Sequence, residues 1–143
     1  MTLSLANHFR VFMCVVFMGV LVGCVYTAKK DVTDNEYIAA VKGGSLSGFS
    51  DVTVREAFNH ALIEPYWRYY KAKTGQHVVE LSGRMSHSNQ KWHAVVQFIV
   101  GEDATDFKLG AMKLNEVIQN VEQKRTFVDH VYDNWYARRL AYE

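Results

Sequence analysis

Three histidines in the middle of the chain are candidates for metal chemistry. His77, His87 and His93 fall on or between neighbouring predicted strands, and a metal site needs nitrogen or oxygen ligands that converge on one point. His87 and His93 also flank the same predicted turn. The sequence has no metal-binding spacing such as His-Glu-x-x-His. We therefore interpret these histidines as exposed or hydrogen-bonded side chains, and we predict no metal and no other cofactor.

Other catalytic groups are equally sparse. A serine nucleophile needs a base and an oxyanion hole, and Ser50 and Ser82 lack the Gly-x-Ser-x-Gly turn that presents such a serine. The carboxylates of Glu102, Asp103 and Asp106 share one predicted turn, where they are typical of a solvated loop. The sequence therefore predicts a protein that is not an enzyme.

Both cysteines lie near the N-terminus. Arg10 precedes an uninterrupted apolar run, Val11 to Val22 (VFMCVVFMGVLV), which contains Cys14, and Cys24 lies just beyond it. The rest of the chain has no cysteine, which excludes a disulfide framework, a thiolate metal site and a cysteine nucleophile there. A positive flank, an apolar run and then small residues form the layout of a secretory signal peptide. The run is shorter than the ~20 residues that span a bilayer comfortably.

The end of this run resembles a processing motif. Leu21, Val22, Gly23 and Cys24 (LVGC) resemble the lipobox of bacterial lipoproteins. The resemblance implies cleavage between Gly23 and Cys24, a diacylglycerol thioether on Cys24 and often acylation of the new amino terminus. Two or three acyl chains hold a protein stably at a membrane, whereas one does so only marginally. The predicted organisation is a signal peptide at 1–23, a lipidated tether at 24–33 and a single domain at 34–143.

Two alternatives remain for this segment. An uncleaved transmembrane anchor would extend through Ala28, but Lys29 and Lys30 would then follow it on the translocated side, against the positive-inside tendency that Arg10 sets. The other alternative is a buried core helix. Val25, rather than Asp, after the cysteine resembles lipoproteins sorted to the outer membrane. We expect a lipid-anchored cell-envelope protein, on the outer membrane facing the periplasm if the bacterium has one and on the cell surface otherwise.

Composition limits the partners of the domain. The chain has 143 residues, of which 49% are hydrophobic and 13% aromatic, enough apolar surface for one folded core. Without Arg10, basic and acidic side chains balance at 15 each. This balance argues against nucleic acid as a partner, because phosphates need a basic face. It also gives no support for an electrostatic membrane patch, so we assign membrane attachment to the lipid on Cys24.

Periodicity predicts an α+β domain. Two short helices come first, and one of them ends at Gly43-Gly44. The other begins with a capping box at Thr53 and Glu56 and ends before Pro65. The pattern then changes to period two, which predicts a four-stranded antiparallel meander with one face covered by helices. Its strands are Tyr66 to Ala72, His77 to Met85, Lys91 to Val100 and Phe107 to Leu114.

A long helix is predicted from Asn115 to about Leu140. Its apolar residues have a spacing that resembles a heptad, and Lys124 occupies the position that would complete the seam. The apolar positions are Val117, Val121, Val128, Val131 and Trp135. One interpretation is a helix that packs on the sheet, and the other is a helix that binds a partner or mediates self-association.

The order of elements also resembles known modules. Two helices followed by a meander are similar to the β-lactamase-inhibitor-protein fold and to the outer-membrane assembly lipoproteins of the SmpA type. The run Val54 to Val100, which includes Pro65, Trp67 and Gly83, resembles a recurring domain of uncharacterised bacterial lipoproteins. This likeness covers roughly Tyr37 to Leu114 and implies fold and location rather than an activity.

Aromatic side chains indicate a binding role. Four crowd one predicted strand, so both of its faces carry rings, and two more lie in the last helix. One strand face must pack on the core, while the other is free to bind a protein or a glycan, or to pack against flanking helices. The candidate partner surface comprises Tyr66, Trp67, Tyr69, Tyr70, Trp135 and Tyr136.

We interpret the chain as a non-catalytic accessory or binding module for an envelope protein. The first alternative is an inhibitor or immunity-type lipoprotein that blocks an enzyme or toxin, by analogy of fold alone. The less favoured alternative is a small envelope hydrolase.

Overall fold

The computed structural model describes residues 34–142. In this range the chain forms three helices and five strands. Their bounds are α1 (Glu36–Gly43), α2 (Val54–Ala61), β1 (Ile63–Lys71), β2 (His77–His87), β3 (Gln90–Val100), β4 (Phe107–Leu114), β5 (Val117–Ile118) and α3 (Val121–Leu140). The predicted signal peptide, the tether with its lipidation site Cys24, and the last residue lie outside the described residues.

Both short helices begin at polar caps. In α1, the Asn35 side-chain oxygen accepts a hydrogen bond from the Ile38 amide at 2.9 Å. In α2, the Thr53 hydroxyl accepts from the Glu56 amide at 3.2 Å, while Glu56 Oε2 accepts from the Thr53 amide at 2.9 Å. The predicted capping box is thus confirmed. Leu62 returns to extended backbone directly after α2, so the chain runs straight into β1.

The strands form one antiparallel sheet in the order β1-β2-β3-β4-β5. This confirms the α+β class and the meander, and β4 has the bounds that the sequence predicted. β1 begins three residues earlier than predicted, at Ile63 rather than Tyr66. β2 and β3 are joined by Ser88 and Asn89, whose φ values of 50° and 62° suit a two-residue hairpin turn.

The sequence predicted that a long helix begins at Asn115, directly after the fourth strand. This prediction is wrong. Asn115 and Glu116 have φ values of 46° and 65°, in the left-handed region that an α-helix excludes. The chain therefore reverses there and adds β5 as a fifth strand. Asn115 also fixes the turn, because its side-chain oxygen accepts from the His93 amide at 2.8 Å. The helix consequently begins at Val121, after its Asn120 cap, and not at Asn115.

The first strand forms one edge of the sheet and is interrupted near its start. Its register against β2 shifts between Ile63 and Tyr66. Within this bulge Glu64 has a φ of 54°, and Pro65 has no amide hydrogen to donate to a neighbouring strand. At the opposite edge, β5 is only two residues long.

All three helices pack on one face of the sheet, which we call the covered face. Phe98 lies near its centre, with Phe58 edge-on at 6.0 Å and Trp67 stacked at 6.3 Å between ring centroids. Full burial of such a side chain contributes about 1.5–3 kcal/mol. The sheet supplies to this core Trp67, Val79, Leu81, Met85, Ala94, Val96, Phe98, Val100 and Met112. The helices supply Ile38, Val41, Val54, Ala57, Phe58, Phe127, Val128, Val131 and Tyr132.

The heptad-like residues of the C-terminal segment do not share one environment. Val128 and Val131 are buried in the core, whereas Val121 is 79% exposed and Val117 belongs to β5. The buried face of α3 is completed by Phe127 and Tyr132, which interrupt a strict heptad. The structure thus has the arrangement of a helix packed into the domain. Self-association through α3 stays a prediction.

Candidate binding surfaces

The face of the sheet opposite the helices, which we call the open face, carries a row of polar side chains. Arg68, Glu80 and Gln97 are direct cross-strand partners on β1, β2 and β3. Two Arg68 nitrogens lie 2.7 and 2.8 Å from Glu80 Oε1, and Gln97 Nε2 donates to Glu80 Oε2 at 2.9 Å. Both carboxylate oxygens are therefore satisfied, as a buried charge requires. Glu80 is only 7% exposed although no described helix covers it.

Two of the predicted aromatic residues flank this row. The Arg68 guanidinium carbon lies 5.5 Å from the centre of the Tyr70 ring, a cation–π distance. Tyr70 is half-buried, and burial, followed by the negative charge of Glu80, raises the pKa of its hydroxyl. Tyr66 is 49% exposed on the same face of β1. The open face therefore presents the exposed Tyr66 ring beside the Arg68 guanidinium, whose orientation is fixed by its ion pair with Glu80.

The other two aromatic residues of β1 point to the covered face. Trp67 is buried in the core, and Lys42 Nζ lies 5.5 Å from the centre of its ring. Tyr69 is half-buried and hydrogen-bonds to His77. The expectation that one face of this strand packs on the core is thus confirmed for Trp67, which leaves Tyr66 and Tyr70 as the rings on the open face.

His77 is the centre of a hydrogen-bonded group with Tyr37, Tyr69 and Glu102, which we call the His77 cluster. The imidazole Nδ1 lies 2.7 Å from the Tyr69 hydroxyl, and Nε2 lies 3.1 Å from Glu102 Oε2. Tyr37 stacks flat over the imidazole at 4.2 Å and donates from its hydroxyl to the Glu102 carbonyl at 3.2 Å. Burial, followed by the charge of Glu36, raises the pKa of Tyr37. The cluster ties α1 to β1, β2 and the turn after β3.

The sequence signals this cluster only in part. His77 and Tyr69 are diagonal neighbours on the covered face of a hairpin, so correct register brings them together. Tyr37 and Glu102 reach the same point from distant parts of the chain. His93 lies on the open face, away from His77, and the side chain of His87 is outside what the structure describes. Among the described residues no group of three His, Cys, Asp or Glu side chains is arranged to hold a metal.

The last two predicted aromatic residues lie on α3. Trp135 and Tyr136 contact each other edge to face at 5.2 Å, and both are half-buried. The Tyr136 hydroxyl donates to Asp51 Oδ1 at 2.6 Å, and this hydrogen bond is the main reason that its pKa is raised. These residues belong to the helical layer, so the six aromatic residues do not form one continuous surface.

Of the six predicted partner residues, only Tyr66 is exposed, and it lies on the open face. Within residues 34–142, no helix is both long and apolar enough to cross a lipid bilayer. Comparison with known proteins adds nothing to this geometry: no protein-family model, curated protein or solved structure matches the chain.

Proposed function

We propose that this chain is a lipid-anchored extracytoplasmic lipoprotein that acts as a non-catalytic binding module for another envelope protein. Its partner surface is the open face of the sheet, centred on Tyr66, Arg68 and Tyr70. Attachment to the membrane is through a lipid on Cys24, as the lipobox resemblance implies. The location is the outer membrane facing the periplasm, or the cell surface of a single-membrane bacterium.

The observation that carries this proposal is the fixed guanidinium beside an exposed ring. Tyrosine and arginine are enriched at protein interfaces, and a side chain held in place before binding loses less conformational entropy on association. Glu80 holds Arg68 through an ion pair. The Arg68 side chain is still 53% exposed, so guanidinium N–H groups remain accessible to a partner. Tyr66, at 49% exposure, provides apolar contact area next to it.

A site-specific cross-link tests the partner surface. We would replace Tyr66 with the photo-crosslinking residue benzoylphenylalanine in the full chain, expressed in its native host, and identify any adduct by mass spectrometry. The matched control is the same replacement at Tyr142, which is 91% exposed and follows the end of α3, outside the sheet. We expect one defined envelope protein to be captured from position 66 and not from position 142.

A second variant separates binding from folding. Tyr66→Ser should abolish co-purification of the protein identified above, while Tyr142→Ser should retain it. Equal cross-linking from both positions, or unchanged co-purification with Tyr66→Ser, would contradict the open face as the partner surface.

The anchor needs its own test. Mass spectrometry of the mature amino terminus should find an acylated Cys24, and Cys24→Ala should prevent lipid attachment and normal processing. Normal processing of the Cys24→Ala chain, with retention in the membrane fraction, would rule out the lipid anchor without bearing on the open face.

A further inference from the structure

The backbone of β1 directs half of its polar groups away from the sheet. In an antiparallel pair, successive residues of a strand point their amides and carbonyls alternately toward the partner strand and away from it. The Ala72 amide donates to the Gln76 carbonyl at 2.8 Å, across the hairpin that joins β1 to β2. Trp67, Tyr69 and Lys71 are an odd number of residues before Ala72 in an unbroken register, so their amides and carbonyls point away from β2.

These outward groups lie at a free edge. The sheet order ends with β1, so no strand within residues 34–142 lies beside it on this side. The backbone hydrogen bonds of turns, loops and caps in the same range do not involve Trp67, Tyr69 or Lys71 either. An extended segment of another protein can therefore pair with these residues and continue the sheet.

The opposite edge of the sheet provides an internal contrast. Its carbonyls are partly used within the domain, because Gly110 accepts a hydrogen bond from Lys124 Nζ at 2.9 Å and Met112 accepts one from the Gln119 amide at 2.9 Å. At Lys113 and Leu114 the strand β5 covers it. Of the two edges, β1 thus offers the longer row of unpaired backbone groups.

The side chains of β1 define which segment fits. Tyr66, Arg68 and Tyr70 lie at alternate positions on the open face, so Arg68 lies between two rings. Side chains of an added strand alternate in the same way, and cross-strand pairs favour opposite charges and apolar residues beside aromatic ones. The matching segment therefore has a carboxylate between two apolar residues, each two positions away from it.

Charge along this edge favours the same segment. The stretch 66–76 contains Arg68, Lys71 and Lys73 and no carboxylate. Within residues 34–142, neither Lys71 nor Lys73 forms an ion pair. Glu80 neutralises part of the charge of Arg68, whose exposed N–H groups can still bind a second carboxylate. Carboxylates of the neighbouring elements are already bound in the pairs Lys42–Asp34 and Arg84–Glu64.

We propose that β1 binds an extended, acidic segment of the envelope partner as an added strand. The backbone of the segment pairs with Trp67, Tyr69 and Lys71, and its carboxylate lies beside Arg68. This inference rests on the proposed function, because Tyr66, Arg68 and Tyr70 are the partner surface defined above. It adds the way in which that surface recognises its partner.

A matched pair of variants tests the backbone pairing. Lys71→Pro and Lys71→Ala remove the same exposed side chain, but only proline removes the outward amide, and that amide donates nothing to β2. We would measure the affinity of each full chain for the protein captured from position 66. Lys71→Pro should bind about tenfold more weakly than Lys71→Ala, because a carbonyl of the partner loses its donor. Unfolding midpoints check that both variants are folded.

Hydrogen exchange of the unaltered chain tests the same contact without a substitution. The amides of Trp67, Tyr69 and Lys71 should exchange more slowly in the complex than in the free chain. The control is the Ile118 amide at the opposite edge, which points outward because the amide of the next residue, Gln119, donates to Met112. Its exchange should not change.

The cross-linked peptide tests the chemistry of the segment. Sequencing of the adduct formed at position 66 should find an aspartate or glutamate between apolar residues at alternate positions, and its replacement by the corresponding amide should weaken binding. A segment without a carboxylate would contradict recognition by Arg68.

The outcomes separate this inference from the proposed function. If position 66 captured no protein, both would fail. Capture with equal affinities of Lys71→Pro and Lys71→Ala, or with unchanged exchange at the three amides, would keep the open face as the partner surface and overturn strand addition. Slow exchange of these amides already in the free chain would assign the edge to the chain itself or to a second copy, and it would also overturn the proposal.

Discussion

The two faces of the sheet use neighbouring residues of the same strands for different purposes. Trp67, Leu81 and Phe98 point to the covered face, and their chain neighbours Arg68, Glu80 and Gln97 point to the open face. The first three bury apolar area, which stabilises the fold in proportion to that area. The second three form a hydrogen-bonded row whose geometry depends on correct strand register. Residues that stabilise the core therefore alternate along each strand with residues of the proposed binding surface.

The largest effect should come from the centre of the covered face. Phe98→Ala removes a fully buried ring that contacts Phe58 and Trp67, and it should lower the free energy of unfolding by about 3–5 kcal/mol. The control is Ile99→Ala, the next residue of β3, which is half-buried on the open face. Urea denaturation measures both. Losses of equal size would contradict the contrast between the faces.

A smaller effect should follow from breaking the row on the open face. Arg68→Met leaves the buried Glu80 carboxylate with only Gln97, and it should cost about 2 kcal/mol because a charged group loses its main partner. The double variant Arg68→Met/Glu80→Met should recover most of this loss, since apolar groups can replace a buried ion pair. Urea denaturation of the wild type and the three variants of a double-mutant cycle checks this. If the double variant were less stable than either single variant, the Arg68–Glu80 ion pair would contribute net stability to the fold, contrary to this expectation.

The layer that covers the sheet should be less sensitive still. Thr53→Ala removes the hydroxyl of the α2 capping box and should cost about 1 kcal/mol at pH 7. Thr53 also lowers the pKa of Glu56 below its ordinary value of 4.5. A lowered pKa stabilises the fold at pH values above 4.5, and this contribution is lost as the pH falls through the pKa of the folded state.

The pH dependence gives a direct check of that cap. The stability difference between wild type and Thr53→Ala, measured by urea denaturation, should shrink between pH 5 and pH 3. A difference that stayed constant or grew in acid would show that Glu56 is not held in its charged form by the capping box.

The smallest effect on stability is expected at the accessible ring of the open face. Tyr66→Ser should change the free energy of unfolding by no more than about 0.5 kcal/mol, because surface substitutions away from special contacts are close to neutral. Thermal and urea unfolding measure this. A large loss would mean that Tyr66 serves the fold and would weaken its use as a binding probe.

Period-two alternation was sufficient to find β1 to β4 and to divide their residues between the two faces. It predicted β4 with its observed bounds, and the capping box at Thr53 located the start of α2. It could not find β5, because two residues are too short to show a period. The reversal at Asn115 and Glu116 depends on φ values that the helical pattern of the surrounding residues conceals.

The binding surfaces were less accessible to sequence reasoning. A groove lies between α3, β4 and the loop that joins α1 to α2, and its α3 side follows from helical spacing alone, since Val121, Lys124 and Arg125 share one side of the helix. Its other walls come from Phe49 and Phe107, which are far away in the chain and are placed there only by the tertiary fold. The same limit applied to Tyr37 and Glu102 in the His77 cluster, because no local pattern links residues that are 65 positions apart.

The bulge at the start of β1 has a further consequence for crowded conditions. A continuous outer strand offers its backbone amides and carbonyls as a template on which a neighbouring molecule can add a strand, which is how many β-rich proteins begin to aggregate. Here Pro65 and the left-handed Glu64 shorten that template at the start of β1, while on the other side of the sheet β5 pairs only with Lys113 and Leu114 of β4. The bulge therefore confines any strand addition at this edge of the sheet to the part of β1 that follows Pro65.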